Sequence, residues 1–297
     1  MFMIYNFCKE GIMKLGFVDV GGGTRGIYGA GIFDTFLENN IKCDYFIGVS
    51  AGAANGAAFL AGQTYRNYRF YNDYAFRKDY MSLRNFIRDG SYIDLEYVYS
   101  YLSNSDGQDP LDYESINANP SEFEIVTSLV DTGKAYYFEK DDLKKDSYDP
   151  IKASCCVPLL CKPYYIGDQG YFDGGLSDPI PYKRAFESGC DKLVVVLTRP
   201  KNDFRNPKDD LKAYRLLKKS YPKAALALKN RANLYNRSLH EILELEKEGK
   251  VIIIGPKSIG KLKTLTQDHD LLDDLYFSGR RDGKKAIIEL AKFYNNN

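Results

Sequence analysis

Histidine is nearly absent from this chain, with only His240 and His269 among 297 residues. With histidine so scarce and no metal-site motif in the sequence, no metal or other cofactor is expected and a zinc site least of all. Calcium has no ready cage either, because no D-x-[DN]-x-[DN]-G loop occurs. A phosphate-binding P-loop is excluded by the lack of any G-K-[ST]. The formal net charge is only +1, with Lys and Arg mixed among Asp and Glu, so a nucleic-acid partner is not expected. Nor is there a run of about 18 apolar residues that could span a bilayer. The six cysteines, at 8, 43, 155, 156, 161 and 190, form no paired C-x-x-C and no secreted-domain spacing. Cys43, Cys155 and Cys156 lie among apolar neighbours and read as buried thiols in a reducing compartment. Residues 1–12 lack a signal peptide's basic start and small-residue cleavage site. They are expected to be a short extension before a start at Met13, on a soluble, cytoplasmic protein. No short-period repeat is present.

What the chain does have is Gly48-Val49-Ser50-Ala51-Gly52, a G-x-S-x-G sequence behind the apolar run Cys43 to Val49 and ahead of an alanine-rich stretch, Ala51 to Gly62. Strand, tight turn and helix in that order thrust a serine hydroxyl clear of the backbone, where it can attack a carbonyl. Gly48 and Gly52 suit a turn too tight for a β-carbon. Upstream, Gly21-Gly22-Gly23-Thr24-Arg25-Gly26 follows the strand-like Leu15 to Val20 and precedes a helical pattern. Consecutive glycines at a strand end, backed by a helix N-terminus, can aim several N–H groups at one point, as an oxyanion hole requires. The same loop fits G-x-G-x-x-G, so a dinucleotide site is the rival reading. That reading wants an acidic residue at the end of the second strand, where this chain has Gly48-Val49-Ser50 and keeps Asp44 at the start. A third cluster, Asp173-Gly174-Gly175, follows the extended stretch Tyr164 to Phe172. It is either a base motif or only a hairpin turn.

The three clusters, in this order, resemble the patatin-like phospholipase family, which carries a Gly-Gly-Gly-x-Arg-Gly loop, a G-x-S-x-G elbow and an Asp-Gly-Gly or Asp-Gly-Ala motif. The likeness extends to Ala153-Ser154, Pro158 and Gly170-Tyr171-Phe172. It continues into Tyr221-Pro222, Arg231, Tyr235-Asn236, Glu248-Gly249 and Pro256, as in a bacterial single-domain subgroup. The resemblance implies a serine acyl-ester hydrolase acting on phospholipid or lysophospholipid. In such an enzyme Ser50 is the nucleophile and Asp173 its base, and Gly21, Gly22, Gly23, Arg25 and Gly26 form the oxyanion loop. Arg25 ranks below the glycine amides as a direct stabiliser. One departure is Val20, where the family usually has Asp or Glu. Asp19 lies one position earlier, and on a strand that shift reverses the face. A histidine triad is formally open, since both histidines follow Asp173.

Near-continuous apolar runs at 15–20, 43–49, 123–130 and 193–198, with a further candidate at 251–254, predict a buried parallel sheet covered on both faces. The expected fold is α/β, a three-layer sandwich of patatin type with a mostly parallel central sheet and a helical C-terminal extension packed on it. It is read as a single domain over 13–297, with a core to about residue 200 and the helical region beyond. Tyr65, Tyr68, Tyr71 and Tyr74 recur every third residue ahead of Tyr80, as an amphipathic helix or as a cap over the substrate. The basic stretch 212–229 is a solvated helix face or a transient membrane contact. Two alternatives to a phospholipase are a general short-chain ester or thioester hydrolase and a dinucleotide-binding protein.

Overall fold

A computed structural model of the protein describes residues 13–295; the expected N-terminal extension, 1–12, lies outside the described residues. The apolar runs form the strands. They are β1 (Leu15–Asp19), β2 (Tyr45–Val49), β3 (Glu122–Leu129), β7 (Lys192–Val196) and β8 (Val251–Ile254). In the eight-stranded sheet these five lie side by side in the order β3-β2-β1-β7-β8, each parallel to the next. Antiparallel strands complete the β3 side: β4 (Ala135–Glu139), β5 (Tyr164–Ile166) and β6 (Gln169–Asp173).

Every parallel strand is buried on both faces, and its alternate side chains enter two separate cores. Phe17, Phe46, Phe123 and Val194 point into one, while Val18, Tyr45, Ile47 and Val195 point into the other. The first core is closed by α1 (Ile27–Glu38), α2 (Ala51–Leu60) and α10 (His269–Asn295). There Phe17, Phe33, Phe46 and Phe59 form a mutually contacting aromatic group. The second is closed by α7 (Tyr182–Glu187) and α9 (Pro222–Lys247), whose Tyr235, Leu239 and Ile242 lie on the sheet. Helices on both faces make this the three-layer α/β architecture expected. The C-terminal helices are packed on it, with α10 joined to α1 by Tyr28 Oη donating to Asp282 (2.9 Å) and Tyr276 Oη to Asp34 (2.7 Å).

Three local expectations differ from what is found, and one candidate strand is met. The stretch 164–172 is not one extended strand but a hairpin, β5 and β6, turning at Gly167-Asp168 with Gly167 at φ 59°. Strand β4 is absent from the apolar reading because its sequence, AYYFE, alternates on a half-exposed edge. The candidate strand at 251–254 is present as β8 and adds an edge to the sheet within the otherwise helical region beyond 200. Finally, the basic stretch 212–229 is broken between α8 (Leu211–Leu217) and the proline that starts α9.

The tyrosine segment is likewise not one long helix. Helix α3 (Arg66–Asn72) stops before Tyr74, which begins a short 3-10 turn. The hydroxyls are each tied to different parts of the structure: Tyr65 to Glu38, Tyr68 to Asp273, Tyr71 to Asn55 and Tyr74 to Asp109. Tyr71 and Tyr74 are buried. Among the described residues no helix is long and apolar enough to cross a membrane, and no cluster of three or more His, Cys, Asp or Glu could hold a metal.

Candidate active site

The site lies at the carboxyl edge of the parallel strands, where α/β sheets place their ligand crevices. Register alone brings its parts level. Asp19 at the end of β1 pairs with Gly48, and Val49 at the end of β2 pairs with Val126 on β3. The antiparallel β6 then sets Asp173 opposite Thr127, the next residue along β3. Ser50, the residue after Val49, therefore stands at the same height as Asp173 with one strand between them. Gly21, Gly22, Gly23, Arg25, Ser50, Asp173 and Gly175 line one cleft of about 140 Å³.

Ser50 adopts φ 55°, ψ −125° between β2 and α2, a conformation a non-glycine residue holds at a cost of about 1–3 kcal/mol when its surroundings enforce it. The enforcement is visible. Ser50 N–H donates to Ser154 Oγ (2.8 Å), which in turn donates to the Val126 carbonyl (2.6 Å). Gly52 follows because a β-carbon there would overlap the Asp19 carbonyl, and one at Gly48 would press on Ala53.

Asp173 ends β6 and caps the 3-10 turn Gly174–Leu176, its carboxylate accepting from Gly175 N–H (2.8 Å). The motif is thus a strand-to-turn transition and not a hairpin; Gly174 is required because a side chain there would strike the Val126 carbonyl. Burial raises the Asp173 pKa above the ordinary carboxylate value, opposed by the Ser50 hydroxyl, the Gly175 amide and the charges of Arg231 and Arg205. Ser50 and Asp173 line the same cleft. The thiol of Cys155 is a second neighbour of Ser50; burial pushes its pKa up to about 12, so it is a neutral thiol there.

The glycine loop is held from below by the acidic residue that appeared displaced. Asp19 is fully buried and accepts from Gly21 N–H (3.0 Å) and Asn55 Nδ2 (2.8 Å), with burial raising its pKa to about 6. Asn55 also donates to the Gly26 carbonyl (3.0 Å). Gly21, Gly22 and Gly23 all have positive φ, at 60°, 130° and 64°, and a β-carbon at Gly21 would overlap the Val49 carbonyl. Since Gly21 N–H is taken by Asp19 and Thr24 N–H by the Thr264 carbonyl (2.9 Å), the loop amides left for a ligand are those of Gly22 and Gly23. Arg25 is buried with its guanidinium beside Gly22.

Two rival readings lose their residues. Asp44 sits at the far end of β2, where it accepts from Leu15 N–H (2.7 Å), and so cannot reach a ribose at the glycine loop. His240 is exposed on α9. His269 stacks on Phe76 (3.7 Å between ring centroids) and bonds Asn72 (2.8 Å), and neither histidine lines the cleft. Replacing both by alanine should leave most ester turnover intact in a steady-state assay; near-total loss would put a histidine back into the chemistry.

Sequence reasoning placed Ser154 in a family-like stretch and Cys155 among the buried thiols without giving either a part in the site, and it missed Asn55 and Thr264, whose local sequence carries no signal. It also missed Arg199 and Arg205, which line the cleft with Arg231 and Tyr235. Of the wall residues, Arg231 and Tyr235 stood in the family-like stretches.

Residues 20–186 match the patatin-like phospholipase family, which sets the class as a lipid acyl hydrolase built on an α/β sheet. The chain belongs to the patatin-like phospholipase family. Residues 221–295 match a second family, described as a domain of unknown function (DUF6363). An uncharacterised protein of Escherichia coli K12, YjjU, is 26% identical over 295 residues, covering 94% of this chain and 78% of that one. Among solved structures, VipD from Legionella pneumophila aligns with a TM-score of 0.47 and 13% identity, over 92% of this chain and 66% of that one.

Proposed function

We propose that the protein hydrolyses acyl esters of phospholipid or lysophospholipid through a Ser50–Asp173 dyad. The observation that carries this reading is a strained serine at φ 55° sharing one cleft with a buried carboxylate and a loop of positive-φ glycines. In the first half-reaction Ser50 Oγ attacks the acyl carbonyl as its proton passes to Asp173. The N–H groups of Gly22 and Gly23 meet the charge that develops on the carbonyl oxygen. The leaving alcohol takes the proton from Asp173 as the acyl-enzyme forms. Water then attacks the acyl-enzyme while giving a proton to Asp173, and that proton returns to Ser50.

An ordinary carboxylate, with a pKa near ~3.9, is a weak base for a serine hydroxyl. Burial works in the right direction here, since it raises the proton affinity of Asp173. Pre-aimed amides supply the rest; in serine hydrolases removing one oxyanion donor costs ~10²–10³ in turnover.

The test is mass-spectrometric comparison of products from a mixed lipid extract incubated with wild type and with Ser50→Ala. Free fatty acid with the matching deacylated lipid should accumulate only with wild type. Identical profiles from the two proteins would remove the reading, and release of acid only from soluble short esters would favour the general esterase instead.

A further inference from the structure

Behind Ser50 the cleft is lined by four arginines drawn from separate segments. They are Arg25 on the glycine loop, Arg199 and Arg205 beyond β7, and Arg231 on α9. Two of them are neutralised within the protein. Arg199 Nε donates to Asp203 (2.9 Å) and Arg231 Nε to Asp210 (3.1 Å). The other two form no ion pair among the described residues, where Arg25 Nε and Arg205 Nε are buried without a hydrogen-bond partner, as is the hydroxyl of Tyr235 on the same wall. Arg25 is 6% exposed and Tyr235 2%.

These are not stray surface chains. The Arg205 guanidinium lies 4.8 Å over the Tyr235 ring. Its main chain is clasped on both sides by Asn236, which accepts from Arg205 N–H (2.7 Å) and donates to its carbonyl (2.8 Å). Burial, and then repulsion from neighbouring arginines, lowers both Arg25 and Arg205 to about 10, still protonated at neutral pH. Buried donors on a cation left without a hydrogen-bond partner are costly unless something anionic completes them. Attack on the ester group alone does not require them, because that group carries no charge.

We propose that Arg25, Arg205 and Tyr235 form an oxyanion subsite beside Ser50 that takes the phosphate of the substrate, and that an unsubstituted phosphomonoester fits it best. The inference rests on the hydrolase reading and names its substrate class. Donors converging from the loop, the wall and α9 match a tetrahedral anion with three free oxygens better than a planar carboxylate with two. Guanidinium groups bind phosphate oxygens in bidentate, charge-assisted pairs. The cleft volume of about 140 Å³ is that of a cavity able to hold a benzene-sized molecule. A bare phosphate fits this volume, and a phosphomonoester offers the donors three free oxygens where a phosphodiester offers two.

The experiment compares three substrates with one acyl chain: 1-oleoyl-lysophosphatidate, 1-oleoyl-lysophosphatidylcholine and 1-oleoylglycerol. The phosphomonoester should have the highest kcat/KM. Arg205→Gln should lower its advantage over the neutral ester by about 10–100-fold, the size expected for a lost charge-assisted bond, with partial recovery in Arg205→Lys. Tyr235→Phe, which removes one hydroxyl, should lower it less and guards against a misfolded arginine variant. Inorganic phosphate should compete with the neutral ester in wild type and more weakly in Arg205→Gln. Equal kcat/KM for the three substrates with no competition by phosphate overturns the subsite. Competition by phosphate without preference for the phosphomonoester makes it a site for free phosphate and overturns the substrate assignment. If no ester is turned over at all, the hydrolase reading has failed separately. The subsite is then judged by Tm: a phosphate-induced rise in wild type that Arg205→Gln lacks supports it, and no rise overturns it.

Discussion

Ser50→Ala should lower turnover of a lysophospholipid, or of a soluble chromogenic ester, by about 10⁴–10⁶-fold, the range for losing the nucleophile of a serine hydrolase. What distinguishes this from loss of fold is that the same position carries strain. At φ 55°, ψ −125° any side chain is held in a sparsely populated conformation, so Ser50→Gly should be as inactive as Ser50→Ala yet more stable by about 1 kcal/mol. Urea unfolding reads the second effect. The backbone bond from residue 50 to Ser154 needs no side chain at 50 and survives in both variants. A loss of activity accompanied by a loss of stability in Ser50→Gly would mean that the turn is built for packing and not for chemistry.

Asp173→Asn should cost about 10³–10⁴-fold in kcat, comparable to the loss when the carboxylate of a serine hydrolase triad becomes an amide. The substitution is close to isosteric. Its carbonyl oxygen can still accept from Gly175 N–H, as the carboxylate does at 2.8 Å, so the turn should persist while the proton acceptor is lost. Because the two side chains act as one unit, Ser50→Ala combined with Asp173→Asn should be little worse than Ser50→Ala alone. The pH profile supplies an independent check. Asp173 must be ionised to take the Ser50 proton, and its pKa is raised by burial. Activity should therefore fall as pH drops through a value above the ordinary ~3.9 of aspartate. An acid limb at or below that value, or a wild-type rate in Asp173→Asn, would remove Asp173 from the role of base.

Much of this was legible because it is local. A parallel strand buried on both faces must be apolar along its whole length, so β1, β2, β3, β7 and β8 announce themselves. A nucleophile elbow must be strand, glycine, serine, glycine and helix within a few residues, and that is how 43–62 reads. Edge strand β4 is half exposed and alternates, so it carries no such run. The tyrosine repeat mimics a helix through Tyr74, but Asp73 ends α3 and tertiary bonds to Asp273, Asn55 and Asp109 decide where each ring goes.

The supporting shell of the site was not legible, for a different reason. Asp19 lies one residue from the place where the family pattern puts its acid. Its contact with Gly21 depends on how the loop after β1 turns back over the strand end. The arginine wall depends on the sheet bringing residues 25, 199, 205 and 231 to one edge. No spacing along the chain encodes that convergence; only the fold does.

The most direct test is mass-mapped labelling by a fluorophosphonate, which reacts only with a serine activated by a working base and oxyanion donors. Wild type should carry a single adduct on Ser50, and Asp173→Asn, folded to the same Tm, should label far more slowly. A protein that turns over acyl esters while Ser50 stays unmodified, or that labels equally fast without the Asp173 carboxylate, would contradict the account.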